Sequence, residues 1–320
     1  MKLSRRALLS SSFSSVLVPR AWAWTHGVAA LGQAKIYQQF DSSWSSAPAP
    51  LPAAFNACCS YLAANIQVPI SLTIQIGYGT CNSTAMASTN LSQNLVTSVQ
   101  FGNYSTWAGF LNSLAISTNT KNFHTSMLAG SDPSGGQIYQ GGISLYELYN
   151  GLSVPASWTI LANGAVGAEG NIYLGLNTAA NGFNYFFNGG PVAGKWDAFG
   201  AMMHEITEGM GRRSAATVSA TPSTFPQPLD AFKYTAANTK YYGDAFTGGS
   251  YFSLDNGTTN YRNFTTNSTE ADPGDWDQAI NDADNGTFST NTVQPFHDAA
   301  VLDALGWEMA SLAAVSCLSF

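Results

Sequence analysis

Between positions 70 and 79 apolar and polar residues alternate strictly, Ile-Ser-Leu-Thr-Ile-Gln-Ile-Gly-Tyr-Gly. A period of two predicts a half-buried strand, here closed by glycines. Just upstream, Phe55, Cys59, Leu62, Ala63 and Ile66 recur at helical spacing and predict a helix over 53–66. Residues 92–116 read as helical too, with interruptions near Gly102 and Gly109. The Gly/Ser/Asp-rich stretch 130–142 reads as loop, and 171–176 as a second strand. A short strand is predicted at 251–254, and a closing helix over 297–307 with Asp298 as a cap near its start.

The best-defined helix follows Asp197, a residue type suited to the N-cap. Phe199, Met202, Met203, Ile206 and Met210 form its core stripe. Gly211 is placed to take the left-handed conformation that ends helices, and Arg212 and Arg213 suit a helix C-terminus. Within this apolar segment stands His204-Glu205-Ile206-Thr207-Glu208. His204 and Glu208, four residues apart, share one face one turn apart, a spacing that lets both hold a single ion. Glu205 sits about 100° round from His204, where HExxH enzymes keep the general base. Here the pattern is HExxE, so Glu208 replaces the second imidazole. Zinc accepts carboxylate oxygen as well as imidazole nitrogen. The added negative charge makes the ion a weaker Lewis acid and its water a weaker acid.

Composition narrows the setting. Charged residues make up only 10% of the 320 residues, against about 25% in ordinary globular proteins. Asn, Ser, Thr and Gly therefore carry much of the polar surface, as in many exported chains. Net charge is −7, and Lys and Arg total 12 without a cluster beyond the N-terminus, which argues against nucleic-acid binding. No apolar run is long enough to span a bilayer. Ser4-Arg5-Arg6-Ala7-Leu8-Leu9 has the twin-arginine pattern. A mildly apolar stretch over 7–18 and the small-x-small Ala21-Trp22-Ala23 follow it. The chain thus divides into a twin-arginine-type signal peptide at 1–23, an irregular lead-in at 24–50, one domain at 51–310 and a tail at 311–320. Periplasmic or extracellular placement follows from this reading. Export favours disulfides among Cys58, Cys59, Cys81 and Cys317, and the sequence order suggests Cys58 or Cys59 with Cys81.

Several segments together carry a family resemblance. They are Gly194-Lys-Trp-Asp-Ala-Phe199 leading into His204-Glu-Ile-Thr-Glu-Gly-Met-Gly-Arg212, then Pro228-Leu-Asp-Ala-Phe-Lys-Tyr234, Tyr251-Phe-Ser-Leu-Asp-Asn-Gly257, Gly274-Asp-Trp276 and Leu302-Asp-Ala-Leu-Gly-Trp307. The chain resembles an uncharacterised bacterial family of exported proteins with an HEI(T/S)ExxGR helix, often labelled as metalloproteases. The resemblance implies an α+β fold of the zincin or metzincin type: a mixed twisted sheet, a packed active-site helix and a loop-rich C-terminal part. It implies one zinc ion, a polypeptide substrate, and Glu205 as the residue that activates water.

His204 and Glu208 would be ligands. The position where metzincins keep their third ligand falls on Ser214, a poor donor to zinc, so the third must come from elsewhere. Asp230 is the first candidate, His297 the second and Glu169 the third; Asp230 also suits a turn that packs Leu229 and Phe232. Tyr234 fits either an oxyanion donor or a core residue. Asp272, Asp275, Asp277, Asp282 and Asp284 form an acidic run that reads as solvated turns or as oxygen donors for calcium. Two other functions compete with peptide hydrolysis: a catalytically inactive zincin scaffold with a binding or surface role, and metal-dependent hydrolysis of a non-peptide substrate.

Overall fold

The alternating segment is a strand, Ser71–Tyr78, at the middle of a five-stranded sheet. The structure is a computed structural model. It describes residues 27–29, 34–96, 98–114, 121, 124–125, 127–128, 132, 134–150, 159–160, 172–177, 182–185, 192–215, 225–242, 246, 248–267, 272–277, 282–284 and 298–310. The strand order is Gly27–Ala29, Lys35–Phe40, Ser71–Tyr78, Ile172–Leu176, Ser92–Leu95. The three inner strands are parallel and both edges antiparallel. Register aligns the apolar positions: Ile74 opposes Ile172 and Ile76 opposes Leu174, all fully buried. The helix Leu51–Asn65, with a proline in its first turn, connects two parallel strands, as such pairs require. It packs against the helix Ala198–Gly209, so two helices and a sheet build the core of a mixed α+β protein. A three-stranded and a four-stranded sheet flank it; the latter runs Thr239–Lys240, Lys233–Ala236, Tyr251–Phe252, Arg262–Asn263.

Three local expectations are corrected. The lead-in 24–50 is not irregular throughout: Lys35–Phe40 is an inner strand, with Ile36 fully buried. Residues 92–95 and 98–102 are not helix but two strands, Ser92–Leu95 and Ser98–Gly102, and among the described residues of this stretch Tyr104–Leu114 alone is helical. Val99 and Phe101 are buried between the half-buried Ser98 and Gln100, a period-two pattern too short to stand out in a window that also holds a helix. The stretch 130–142 ends in a strand, Tyr139–Gly142, paired to Ser98–Gly102.

The disulfide expectation is also corrected among the described residues: Cys58, Cys59 and Cys81 are buried free thiols. Cys58 faces the carbonyl of Phe199 on the neighbouring helix, at 3.9 Å. Cys81 lies against the carbonyls of Gln93 and Tyr173, at 3.7 and 3.6 Å, so the fold holds them against different partners. Cys317, the signal segment 1–23 and the tail 311–320 lie outside the described residues. Among those described, no helix is long and apolar enough to cross a membrane.

Candidate metal centre

The helix Ala198–Gly209 begins where the sequence places it. Asp197 is extended and its side chain accepts from the Phe199 amide at 3.1 Å. It ends in a Schellman motif: Gly211 N–H donates to Glu208 O at 2.9 Å and Arg212 N–H to Thr207 O at 3.0 Å, with Gly211 at φ 104°. Trp307 Nε1 donates to the Met210 carbonyl at 2.9 Å, and Ser144 Oγ donates to that of Gly209. The helix lies so close to the sheet that a Cβ on Gly209 would come within 2.7 Å of Ile172. Every residue of the helix is buried, the polar face included. A buried polar face must find its partners inside the protein.

His204 Nδ1 donates to the Ala283 carbonyl at 3.1 Å. This bond sets the orientation of the ring and turns Nε2 toward two carboxylates: Glu208 Oε1 at 3.9 Å and Asp275 Oδ1 at 3.7 Å. Across the cluster, Asn94 on the edge strand Ser92–Leu95 donates from Nδ2 to Glu205 Oε2 at 2.7 Å and to Glu208 Oε2 at 2.5 Å. One amide thus holds both glutamates. His204, Glu205 and Glu208 bring donor atoms within 4.8 Å of one another, a spacing fit for one ion. Asp275 Oδ1 is buried and, among the described residues, has no hydrogen-bond partner.

Charge state follows from this enclosure. Burial disfavours the His204 imidazolium, yet Asp275, Glu208 and Glu205 outweigh it and raise the pKa to about 9. Burial, with Glu208 adding to it and His204 opposing, pushes Glu205 up to about 7. Burial likewise pushes Asp275 up to about 7. A divalent cation bound among these groups would favour the ionised carboxylates and the neutral imidazole.

Beneath lies a second buried layer. Arg212, fully buried, does not cap the helix as its position suggests. Its Nε donates to Asp298 and lies 3.5 Å from Asp284 Oδ1, its Nη2 reaches the Asp284 carbonyl at 3.4 Å, and its guanidinium sits 4.6 Å from the Trp276 ring centroid. Asp298 stands at the start of the closing helix, but its side chain makes no cap bond. It takes Arg212 and Trp276 Nε1, the latter at 2.8 Å. Asp284 accepts from Thr207 Oγ1 at 2.9 Å, and Arg262 donates to Asp282. The reading of the acidic run as solvated turns is therefore corrected for Asp275, Asp282 and Asp284, all buried. Asp282, Asp284 and Asp298 do converge, but Arg212 and Arg262 already supply their countercharge.

Of the predicted site residues, His204, Glu205 and Glu208 come together and Asp230 does not join them. Asp230 Oδ1 accepts from Ser214 Oγ at 2.6 Å, and Oδ2 from the amides of Gln227 at 2.8 Å and Ala215 at 3.1 Å. Lys233 Nζ stands 3.5 Å away. Both oxygens are spent on closing the turn Pro228–Phe232, the structural role its sequence context also suggested. Tyr234 is fully buried with its hydroxyl toward Asn256 Oδ1, at 3.4 Å, a core residue. His297 and Glu169 lie outside the described residues.

The residues that sequence reasoning missed are Asn94 and, as a neighbour of His204, Asp275. The only sequence signal for Asp275 is Gly274-Asp-Trp276, three residue types that pack here: Trp276 under Arg212 and Gly274 against the backbone of Arg213 and Ser214. Comparison of the chain with known protein families, with curated proteins and with solved structures found no match in any of the three.

Proposed function

We propose that the chain is an exported, zinc-dependent hydrolase of polypeptides with a zincin-like arrangement. The observation that carries this reading is the facing of His204 Nε2 and Glu208 Oε1 at 3.9 Å in a buried site, with the Glu205 carboxylate held beside them by Asn94. When bound, zinc supplies a Lewis acid that polarises a carbonyl and lowers the pKa of water. His204 and Glu208 would hold it. Glu205 accepts a proton from the attacking water at a carboxylate oxygen and returns it to the leaving amine. Asn94 keeps Glu205 aimed and separates it from Glu208. The twin-arginine pattern supports placement in the periplasm or outside the cell.

The edge strand supports a peptide substrate. Ser92–Leu95 ends the sheet, and among the described residues no strand pairs with its outer side. An extended peptide can add to such an edge through main-chain hydrogen bonds. Asn94 on that strand would then lie within one residue of both the peptide and the glutamates.

The burial of the cluster favours a second reading. His204, Glu205 and Glu208 expose 6%, 6% and 2%, and an ion so enclosed can serve as a structural clasp on a non-catalytic scaffold. One set of measurements separates the two. Purified protein should carry about one zinc per chain. Glu205→Gln should keep the zinc and lose cleavage of a quenched-fluorescence peptide library by about 10²–10⁴-fold. Zinc without cleavage in the wild type, coupled to a large fall in melting temperature on chelation, selects the scaffold reading. A wild type without zinc removes both.

A further inference from the structure

The sequence offers no third ligand on the metal helix, and the residue it nominates, Asp230, is occupied elsewhere. We propose that Asp275 is the third protein ligand, donating Oδ1 to the same ion as His204 Nε2 and Glu208. This rests on the metal-site reading above and adds to it the residue that completes the site.

Three observations carry it. Asp275 is 2% exposed, and its Oδ1 is a buried oxygen with no hydrogen-bond partner among the described residues. An unsatisfied buried carboxylate oxygen is costly unless something is meant to bind it. Its nearest cationic or imidazole neighbours are His204 Nε2 at 3.7 Å and Arg212 Nη1 at 3.8 Å, both beyond hydrogen-bonding distance. Donors about 2.0–2.1 Å from a tetrahedral zinc stand roughly 3.3 Å from one another. The separations from His204 Nε2 of 3.7 Å to Asp275 and 3.9 Å to Glu208 are therefore too long for direct bonds and exceed the spacing of shared ligands by about half an ångström. Binding would also have to draw Asp275 toward Glu208, since the donor atoms already within 4.8 Å of one another are those of His204, Glu205 and Glu208.

The third observation is placement. Asp275 Oδ2 accepts from the Asp272 amide at 2.8 Å, and the backbone is tied to Thr265, whose amide donates to the Asp275 carbonyl at 2.8 Å. One oxygen is thus anchored and the other is left facing His204. Charge also closes: a neutral imidazole and two carboxylates balance a divalent ion. Glu205, held by Asn94, stays available as the base rather than being consumed as a ligand.

The competing role for Asp275 is a counter-ion for Arg212 only. A cobalt probe distinguishes them. The wild type, stripped and loaded with Co(II), should show the visible spectrum of a low-coordinate site. Asp275→Cys loaded in the same way should gain a near-ultraviolet thiolate-to-cobalt charge-transfer band, because the sulfur then bonds to the ion. Asp272→Cys, three positions away, should gain none. Asp275→Asn, checked for native circular dichroism, should bind zinc more than about 100-fold more weakly by competition with a chelating dye, beyond the loss expected of a residue that merely supports a ligand. Cobalt bound by the wild type, with no charge-transfer band in Asp275→Cys and an affinity in Asp275→Asn within about tenfold of wild type, overturns the assignment and leaves the metal site standing. If Asp275→Cys does not fold, the affinity of Asp275→Asn decides. No cobalt on the wild type overturns the metal reading itself.

Discussion

Asn94 Nδ2 lies 2.7 Å from Glu205 Oε2, and the same nitrogen lies 2.5 Å from Glu208 Oε2. A neutral amide on the edge strand is therefore what keeps two buried glutamates on adjacent turns in one arrangement. Replacing it by Leu removes the donor that the two carboxylates share and leaves Glu205 its hydrogen bond with the Ser92 side chain. The metal-free Asn94→Leu protein should be less stable by about 1–3 kcal/mol in urea titrations. It should still take up zinc, while its turnover falls. Unchanged stability and turnover would mean that Asn94 is a bystander.

Arg212 is the countercharge of the layer below. It is fully buried and reaches Asp298, Asp284 and Asp275. Arg212→Met removes the cation and leaves buried carboxylates unpaired, at a cost of about 3–5 kcal/mol. Arg212→Lys should recover little, because a single ammonium cannot reproduce the forked contacts or the stacking on Trp276. Denaturant midpoints of the two variants test this; full rescue by Lys would show that charge alone suffices there.

Asp230 offers the opposite pattern. Its carboxylate satisfies two backbone amides and the Ser214 hydroxyl and neutralises the buried Lys233. Asp230→Ala should cost about 3–5 kcal/mol of stability and leave zinc content near one ion per folded chain. Loss of zinc from folded Asp230→Ala would return this residue to the metal site.

A pH effect follows from His124. Burial lowers its pKa below the ordinary 6.5, with the Ala304 and Leu111 carbonyls only partly offsetting the loss. The unfolded chain therefore accepts a proton that the folded chain resists. The contribution of this residue to stability is complete above about 6.5 and is lost as the pH falls below it. His124→Gln keeps a donor for the Ala304 carbonyl, 2.7 Å from Nε2 in the wild type, without titrating. Between about pH 7.5 and about pH 5 the wild type should lose more stability than this variant. Parallel losses in the two proteins would rule His124 out.

Much of the helix Ala198–Gly209 is legible locally. Asp197, the apolar stripe, Gly211 and the four-residue spacing of His204 and Glu208 are each set by helix geometry and capping, which depend on a few adjacent residues. The strand at Ser71–Tyr78 is equally plain because its alternation is long and uninterrupted. Lys35–Phe40 and Ser98–Gly102 are less so. They are short, and what makes them strands is pairing with segments distant in the chain.

The sequence by itself determined a helix that presents an imidazole and two carboxylates in fixed relation, because that relation is a property of 3.6 residues per turn. Only the tertiary structure decided what meets them. The Ala283 carbonyl that orients His204 is 79 residues away and the Asn94 amide that holds Glu205 is 111 residues away. Whether an aspartate such as Asp275 or Asp230 faces the cluster or closes a turn depends on how loops fold back on the core. No local pattern encodes that choice, since the same carboxylate serves solvent, an amide, an arginine or a metal ion according to what burial leaves beside it.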